Sequence, residues 1–563
     1  MALRASACFQ TGFNCVELDS RRVPGSSSEH RLAWAGTVLL GVALMAIFLL
    51  ACLLLTGGGL DDSFITYRYA KHLAGGHGIA WNVGEQPPVE GYTSFLWVVL
   101  NAIPIALGGS PLLASKLLSI AAAGAIIVLT LSGAHPIQER PWRAVLATLV
   151  ALCTPLAYYT QTGMETVFFT ALAFASTGLA LREFAGNPRP LWLMASSTLF
   201  GLAAITRPEG VMLFGLIAAS GLSLRRSAED GRISRRTLLF FVAPFFAIWL
   251  TYFMWRLQHY GWLFPNTYYA KHSGNRLLNL PLGVYYLVLA WAPYLAAPVS
   301  LGALAWVATP TREEDPSARR SLQLALHLGG ACLVYVLYIV WVGGDDRSAF
   351  PSVRLVLPVL PLLWMATVML VAGASRHWTK LSPRACAVGV AALISLAWAE
   401  DGLQLLKASV PAGGDSRQGL LKTKLAQFTD EPHGPLPAWI LEHTQPTDVI
   451  AVPWAGRVPY ATGRPTLDML GLNDTHIAHL PSLQRGIDVK MDPEYVLARR
   501  PKLIFVNVNH CYVQKECSFA DAGGWKIGDR QLIELLRQSP DYDWVKDAPT
   551  DISVFRRRES LAQ

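Results

Sequence analysis

Charged residues are scarce in this chain. Asp, Glu, Lys and Arg make up 15% of its 563 residues, whereas a soluble protein carries about a quarter. Hydrophobic residues make up 52%, and several apolar runs approach the ~20 residues that cross a bilayer. The shortage of charge therefore excludes an ordinary soluble protein and predicts a polytopic membrane protein.

Several motifs are missing as well. No Walker, Rossmann, HExxH or GxSxG motif stands where its mechanism would work, so the corresponding nucleotide, zinc and serine chemistries are not predicted. We find no internal repeat, which counts against transporters built from two related halves. The net charge of +8 lies mostly in short loops between apolar runs. Membrane orientation explains that pattern better than a nucleic-acid partner does.

The apolar runs predict an α-helical membrane domain with about eleven spans and one helix along the membrane surface. The first run is too long for a signal-peptide core, and we expect it to stay as an anchor. Residues 93–108 form the surface helix, because counting them as a span would reverse every later loop. The predicted spans cover residues 33–56, 111–133, 143–160, 166–181, 190–206, 210–224, 237–257, 281–307, 321–342, 355–373 and 385–399.

The distribution of Lys and Arg predicts the orientation. With 93–108 at the interface, six inward segments hold 19 Lys and Arg, and four outward loops hold 7. The positive-inside rule favours this assignment. It divides the chain into a cytoplasmic tail (1–31), a membrane domain (32–400) whose first external loop is 57–110, and an outer domain (401–563). In a bacterium this corresponds to the inner (plasma) membrane, with the outer domain in the periplasm.

Beyond residue 400 the apolar density falls, and strand and helix patterns alternate. TDVIAVP (from Thr447) and PKLIFVNV (from Pro501) are typical of strands, and RQLIELLRQ (from Arg530) is typical of an amphipathic helix. This alternation predicts a small soluble α/β domain. Cys511 and Cys517 lie within it. A disulfide would suit an oxidising exterior, although spacing alone does not establish that the two side chains meet.

Unusual polar residues collect on one predicted face of the membrane. Ionisable groups near membrane depth are costly, so a one-sided set of them predicts a functional site. The alternative is that each member pairs with a neighbour and caps a helix end. The set comprises Asp61, Asp62, Glu90, Tyr92, Glu165, Arg207, Glu209, Asn266, Tyr268, Lys271, His272, Asp345, Asp346, Arg347 and Arg354.

Helical spacing sharpens the first of these clusters. If residues 61–74 are helical, Asp61, Arg68 and His72 lie along one stripe with Lys71 beside it. A carboxylate can take a proton from an attacking hydroxyl, and cations can hold charge on a departing phosphate. The alternative is a solvated interfacial helix whose charges pair with one another and with lipid head groups.

Other members of the set suit particular ligands. Arginine suits phosphate where the contact is bidentate, and tyrosine can stack on a sugar, although aromatic belts also place tyrosine at interfaces. The acidic pairs at 61–62 and 345–346 suit Mg²⁺ or Ca²⁺, but their spacing fixes no coordination sphere. In the outer domain, Asn473 and Asp474 predict either a carbohydrate contact or a hydrogen-bonded turn. The candidate phosphate contacts are Arg207, Lys271, His272, Arg347 and Arg354.

The motifs DDSFITYRYA, VEGYTSFLW, TGMET, TRPEG, PNTYYAK, GGDD with the later Arg354, and GLND resemble those of GT-C-type integral membrane glycosyltransferases. These enzymes use a polyprenyl-phosphate sugar as donor. Within that group the chain is most similar to the branch containing the actinobacterial terminal β-(1→2)-arabinofuranosyltransferases. The resemblance implies that Asp61 and Asp62 supply the catalytic base and that 93–108 is a juxtamembrane helix. The chain departs at EGYTSFLW, where the arabinan enzymes are more polar.

The predicted function is inverting transfer of a sugar from a polyprenyl-phosphate donor to an extracytoplasmic glycan, lipid or protein. Three other functions remain open. A transporter or flippase of lipid-linked sugars would need polar groups near mid-bilayer, which the predicted spans almost lack. A glycan-polymer ligase would accept a whole lipid-diphosphate glycan, and a non-catalytic carbohydrate-binding protein would leave the donor intact.

Overall fold

The structure is a computed structural model with a mostly helical membrane domain and a five-stranded C-terminal sheet. It describes residues 27–57, 59–226, 234–271, 276–290, 294–308, 316–345, 353–376, 389, 434–481, 490–523 and 527–558. The predicted span 385–399 and the predicted domain boundary near residue 400 lie outside these ranges.

Most of the membrane domain is helical. Its described α-helices are α1 (Ser27–Leu54), α2 (Asp61–Ala74), α3 (Phe95–Ala106), α4 (Pro111–Ser132), α5 (Arg140–Ala151), α6 (Thr154–Thr160), α7 (Thr166–Ala185), α8 (Pro190–Thr206), α9 (Glu209–Arg226), α10 (Arg235–Tyr260), α11 (Asn266–Lys271), α12 (Leu280–Ala290), α13 (Ala296–Ala308), α14 (Pro316–Val342) and α15 (Leu360–Ser375). Short 3₁₀ turns at Arg276–Asn279 and Leu357–Val359 precede α12 and α15.

Several of these helices are long and apolar enough to cross a bilayer. Six qualify within the described residues, and α5 with α6, bent by 51°, makes a seventh candidate. Ten of the eleven predicted apolar runs fall on helices, some of them shorter than a full span, such as α8, α12 and α13. The chain is therefore a multi-pass membrane protein, whereas the count of eleven is not confirmed. The six are Trp34–Leu54, Pro111–Ser132, Thr166–Ala185, Arg235–Tyr260, Ala318–Val342 and Leu357–Ser375.

Helix α3 corresponds to the segment predicted to lie along the membrane surface. Its 12 residues extend about 18 Å at 1.5 Å per residue, well short of the ~30 Å hydrocarbon core. Pro104 lies inside the helix, and Leu107, just beyond its end, is exposed. This length agrees with the prediction of a surface helix, and that prediction keeps the loops before and after α3 on one side of the membrane.

The C-terminal domain is an α/β unit, as predicted. Strand order in its sheet is β2-β1-β3-β5-β4, with β1 parallel to both neighbours and β5 antiparallel to β3 and β4. The elements in chain order are α16 (Pro435–Glu442), β1 (Ile450–Val452), α17 (Arg457–Thr462), β2 (Thr466–Asp468), α18 (Thr475–Ala478), α19 (Pro493–Ala498), β3 (Leu503–Asn509), α20 (His510–Val513), α21 (Ile527–Gln538), β4 (Tyr542–Val545) and β5 (Ile552–Arg557).

Helix α21 packs its apolar face against the sheet. Leu532, Ile533 and Leu536 are buried together with Ile504 and Val506 of β3. This is the expected outcome for an amphipathic helix beside alternating strands. The predicted pair Cys511 and Cys517 forms a disulfide in the same domain.

Thiol labelling tests the orientation. His77→Cys lies in the first external loop, and Asn187→Cys lies in the loop after α7; both positions are exposed. Because these loops are assigned to opposite sides, a membrane-impermeant maleimide should label His77→Cys in spheroplasts. It should label Asn187→Cys only after permeabilisation. Labelling of both positions from outside would contradict the topology, and the parent chain measures the background from native cysteines.

Candidate active site

Helix α2, Asp61–Ala74, covers the segment that was assumed to be helical. It begins seven residues after α1 ends, so its first turn lies directly outside the first span. Asp61 and Asp62 occupy that turn, while Lys71 and His72 occupy the last turn. This placement suits the helix dipole, because carboxylates favour the positive N-terminal end and cations the C-terminal end.

The two aspartates have different environments. Asp61 accepts the backbone N–H groups of Gly456 (3.0 Å) and Arg457 (2.9 Å), one on each carboxylate oxygen. Burial raises the pKa of Asp61, and these donors oppose that rise. A Cβ on Gly456 would overlap both the carbonyl and the carboxylate of Asp61. Both carboxylate oxygens of Asp61 therefore bind the C-terminal domain.

Asp62 instead faces the membrane domain. Its side chain is 54% exposed, and its Oδ2 lies 3.6 Å from Nη1 of Arg354. Arg354 is only 12% exposed, and its Nε lies 2.5 Å from Oδ2 of Asp345. The guanidinium of Arg354 thus links two carboxylates, of which that of Asp62 is the accessible one.

A double-glycine turn positions Asp345. Gly343 and Gly344 follow α14 with φ values of 93° and 74°, a region that glycine adopts without steric cost. A Cβ on Gly344 would also collide with Tyr286, whose hydroxyl accepts the N–H of Leu355 (3.1 Å). The glycines of the GGDD motif therefore set the chain direction that brings Asp345 to Arg354.

A second group of ion pairs lies near the contact between Asp62 and Arg354. Arg207, in the turn between α8 and α9, lies 2.8 Å from Glu165 and 3.3 Å from Glu209. Arg354 also interacts electrostatically with Arg207 and Glu165. The structure thus brings six predicted residues into one group, which we call the acidic–arginine cluster. Its members are Asp62, Glu165, Arg207, Glu209, Asp345 and Arg354.

The acidic–arginine cluster has four carboxylates and two guanidiniums. Within the described part of the chain, no group of three or more His, Cys, Asp or Glu side chains is arranged to hold a metal ion. Three other predicted residues, namely His272, Asp346 and Arg347, lie outside the described residues. The predicted Mg²⁺ or Ca²⁺ site therefore stays a prediction.

Glu90 and Tyr92 anchor the first external loop to α10. Both carboxylate oxygens of Glu90 accept from Arg256, at distances from 2.5 to 3.1 Å. The hydroxyls of Tyr92 and Tyr260 lie 3.1 Å apart. All four side chains are buried, and a buried ion pair is strongly destabilising when one partner is removed. Glu90 therefore pairs with a neighbouring arginine, which was the alternative to a functional role for each of these residues.

Arg68 is buried and bound to other parts of the protein. Four of the five N–H groups of a guanidinium donate here, to the carbonyls of Trp81, Pro459 and Arg464 and to the Asn82 side chain. His72 Nδ1 lies 2.8 Å from the carbonyl of Ala80, and Lys71 is exposed beside Tyr460. Arg68 and Lys71 of the predicted stripe thus contact the C-terminal domain, as Asp61 does, whereas His72 contacts the first external loop.

The remaining predicted residues join the two domains or close turns. Asn266 Nδ2 donates to the carbonyls of Gly471 (2.9 Å) and Leu472 (3.0 Å). Asn473 accepts from the Tyr69 hydroxyl (3.0 Å). Asp474 accepts the N–H of Ile477 at the start of α18 and also the Tyr495 hydroxyl. GLND therefore forms a hydrogen-bonded turn, which was one of its two predicted roles. Through Asn473 this turn contacts Tyr69 in the first external loop.

Two predicted residues of PNTYYAKH have aromatic or exposed surroundings. Tyr268 packs against Phe264 with ring centroids 4.5 Å apart, and Lys271 is exposed. The residues that sequence reasoning missed are those contributed by the C-terminal domain, above all Gly456 and Arg457. Only their position after a predicted strand, in TDVIAVPWAGR, hinted at a loop of this kind.

Among solved structures, the chain is similar to ArnT from Cupriavidus metallidurans. The form bound to undecaprenyl phosphate aligns with TM-score 0.54 and 13% identity over 94% of this chain and 99% of ArnT. The apo state aligns with TM-score 0.51 and 14% identity over 93% and 98%. The Archaeoglobus fulgidus oligosaccharyltransferase in complex with Zn and sulfate is less similar (TM-score 0.45, 13% identity, 91% and 73% covered).

At this identity the likeness to ArnT shows the fold alone. The chain thus has a GT-C-type fold, as the motifs predicted, while membership of a glycosyltransferase family and of the arabinofuranosyltransferase branch stays a prediction. Residues 425–555 match a family model described as Domain of unknown function (DUF8728). No curated protein matches the chain by sequence.

Substitution at Gly456 tests the contact with Asp61. Gly456→Ala places a Cβ where Asp61 lies. We therefore expect the free energy of unfolding to fall by about 1–3 kcal/mol, as at other overpacked sites. The melting temperature should fall, and limited proteolysis should release the C-terminal domain sooner. Gly434→Ala is the matched control, since a Cβ there meets no atom within 4 Å. Equal melting temperatures for the two variants would contradict the docking role.

Proposed function

We propose that this protein transfers a sugar from a polyprenyl-phosphate carrier to an acceptor on the outer side of the membrane. One observation carries the proposal: an exposed carboxylate, Asp62, lies beside Arg354 directly outside the first span. The GT-C-type fold shared with ArnT, which has been solved with undecaprenyl phosphate bound, supports a lipid-phosphate donor. The motif resemblance supports arabinofuranose as the sugar and a bacterial inner membrane as the location.

Asp62 acts as the general base in this mechanism. The acceptor hydroxyl oxygen attacks the anomeric carbon of the donor sugar and forms the new glycosidic bond, while its proton passes to Asp62. The bond between the anomeric carbon and the phosphate oxygen breaks, and the lipid phosphate leaves with the electron pair. Attack from the face opposite the leaving group inverts the anomeric configuration.

The contacts favour Asp62 over Asp61 as the base. Both oxygens of Asp61 already accept backbone N–H groups, so accepting a further proton would weaken bonds that hold the C-terminal domain. Asp62 has half of its side chain open to substrate. Asp61 is a positioning residue, because it fixes the first turn of α2 from which Asp62 projects.

Arg354 opposes the negative charge of the departing phosphate. Its guanidinium is largely buried and oriented by Asp345, and an oriented cation stabilises developing charge without reorganising during the reaction. Because Arg354 lies beside Asp62, the donor phosphate and the acceptor hydroxyl can both reach this contact, with the transferred sugar between them. Arg207 is held by Glu165 and Glu209 and adds positive charge near Arg354.

Two matched substitutions distinguish the aspartates. Asp62→Asn should lower kcat by about 10²–10⁴-fold, the usual contribution of a general base, while binding of undecaprenyl phosphate persists. Asp61→Asn makes the same chemical change one residue away and should lower the melting temperature with a smaller loss of kcat. Turnover is measured with polyprenyl-phosphoryl arabinofuranose and purified protein. Full activity of Asp62→Asn would eliminate this assignment of the base.

The phosphate contact is tested by binding. Arg354→Gln removes a charge-assisted hydrogen bond worth about 1.5–3 kcal/mol, so the Kd for undecaprenyl phosphate should rise about 10- to 100-fold. Arg376→Gln is the control, because Arg376 also pairs with a carboxylate, that of Glu139, at the opposite end of the membrane domain. An unchanged Kd in Arg354→Gln would remove Arg354 from the donor site.

The identity of the donor sugar can be determined from the surface glycan of the cell. Mass spectrometry of the surface glycan from a deletion strain identifies the missing residue. Loss of a terminal arabinofuranose would agree with the motif resemblance, and loss of another sugar would replace it.

A further inference from the structure

The order of strands in the C-terminal sheet identifies its ligand-binding edge. Strand β1 lies between β2 and β3 and runs parallel to both. The chain leaves β1 for β2 on one side, and β3 is added on the other side, so β1 lies at a topological switch point. In open parallel sheets, ligands bind in the crevice outside the carboxyl ends of the strands at such a point.

This edge of the sheet meets the aspartate pair. Strand β1 ends at Val452, and the next residues lead to Gly456, whose N–H lies 3.0 Å from Asp61 Oδ2. Arg457 also donates its side chain to the carbonyl of Gly59, just before α2. The carboxyl end of β1 therefore lies beside the first turn of α2, which carries Asp62.

Trp454 lies within this segment and is unusual in its exposure. The residues around it, Val452, Pro453, Ala455 and Gly456, are buried, whereas Trp454 is 45% exposed. Trp454 and Gly456 are separated by two peptide units, which span at most about 7 Å. A large aromatic surface is thus left open within the width of one or two sugar rings of the Asp61 contact.

We propose that Trp454 is the platform that binds the acceptor sugar. Its indole packs against the C–H face of an acceptor ring and presents a ring hydroxyl to Asp62. This inference rests on the proposed function and deepens it, because it makes the acceptor a glycan rather than a peptide or a lipid chain. Aromatic side chains combine a large apolar face with a rigid, low-entropy shape, which suits such stacking.

The position of Trp454 assigns it to the acceptor rather than to the donor. Arg354, the phosphate contact, belongs to the membrane domain between α14 and α15. Trp454 belongs to the C-terminal domain, which meets α2 at Asp61. In an inverting reaction the acceptor and the leaving phosphate occupy opposite faces of the transferred sugar. Asp62 lies where these two sides meet.

Steady-state kinetics tests the platform. With polyprenyl-phosphoryl arabinofuranose as donor and octyl arabinofuranoside as acceptor, Trp454→Ala should raise the acceptor KM about 3- to 10-fold, the range expected for an aromatic stack. The value of kcat should stay within about twofold of the wild type, and the Kd for undecaprenyl phosphate should not change. Trp454→Phe should restore most of the KM. Leu441→Ala is the control, since Leu441 is a 42% exposed apolar residue of the same domain.

A binding measurement without the donor separates the two proposals. Calorimetric titration of the wild type and Trp454→Ala with octyl arabinofuranoside and octyl mannopyranoside reports sugar binding even if transfer is never observed. Weaker sugar binding in Trp454→Ala supports the platform, whatever the fate of the transferase proposal. An unchanged KM and Kd for the sugars overturns it. A raised Kd for undecaprenyl phosphate alone also overturns it, because Trp454 would then contact the lipid carrier.

Discussion

The contact between Asp61 and the backbone of Gly456 and Arg457 is the constraint on which the rest of the site depends. Two N–H donors hold this carboxylate, and consecutive residues of a helix project about 100° apart. With Asp61 turned toward the C-terminal domain, its neighbour Asp62 is turned toward Arg354. Two identical neighbouring side chains therefore have different partners.

The membrane domain supplies the complementary half of the arrangement. Arg207 is held by carboxylates at the starts of α7 and α9, and Arg354 by a carboxylate that follows α14. Buried ion pairs of this kind contribute little net stability but are costly to break. They serve here to keep two guanidiniums in fixed orientations. The first external loop joins the halves, since it carries Asp62 and is fastened to α10 through Glu90 and Arg256.

Local patterns in the sequence predicted much of this structure. Apolar runs predicted the helices and alternation predicted the α/β domain, because each depends on neighbours along the chain. The role of Arg68 could not be predicted. Its partners Pro459 and Arg464 lie 391 and 396 positions away, and a charge in a polar motif looks the same whether it binds a substrate or a distant carbonyl. The different surroundings of Asp61 and Asp62 could not be predicted for the same reason, because the partners of Asp61 are 395 and 396 positions away.

The brevity of α3 has a consequence for the whole chain. A few additional apolar residues would lengthen α3 toward a full span. In the predicted topology, which counts α3 as no crossing, every later element would then lie on the opposite side of the membrane. Asp62 and Arg354 could not meet in that arrangement, so the contact between them depends on the short length of α3.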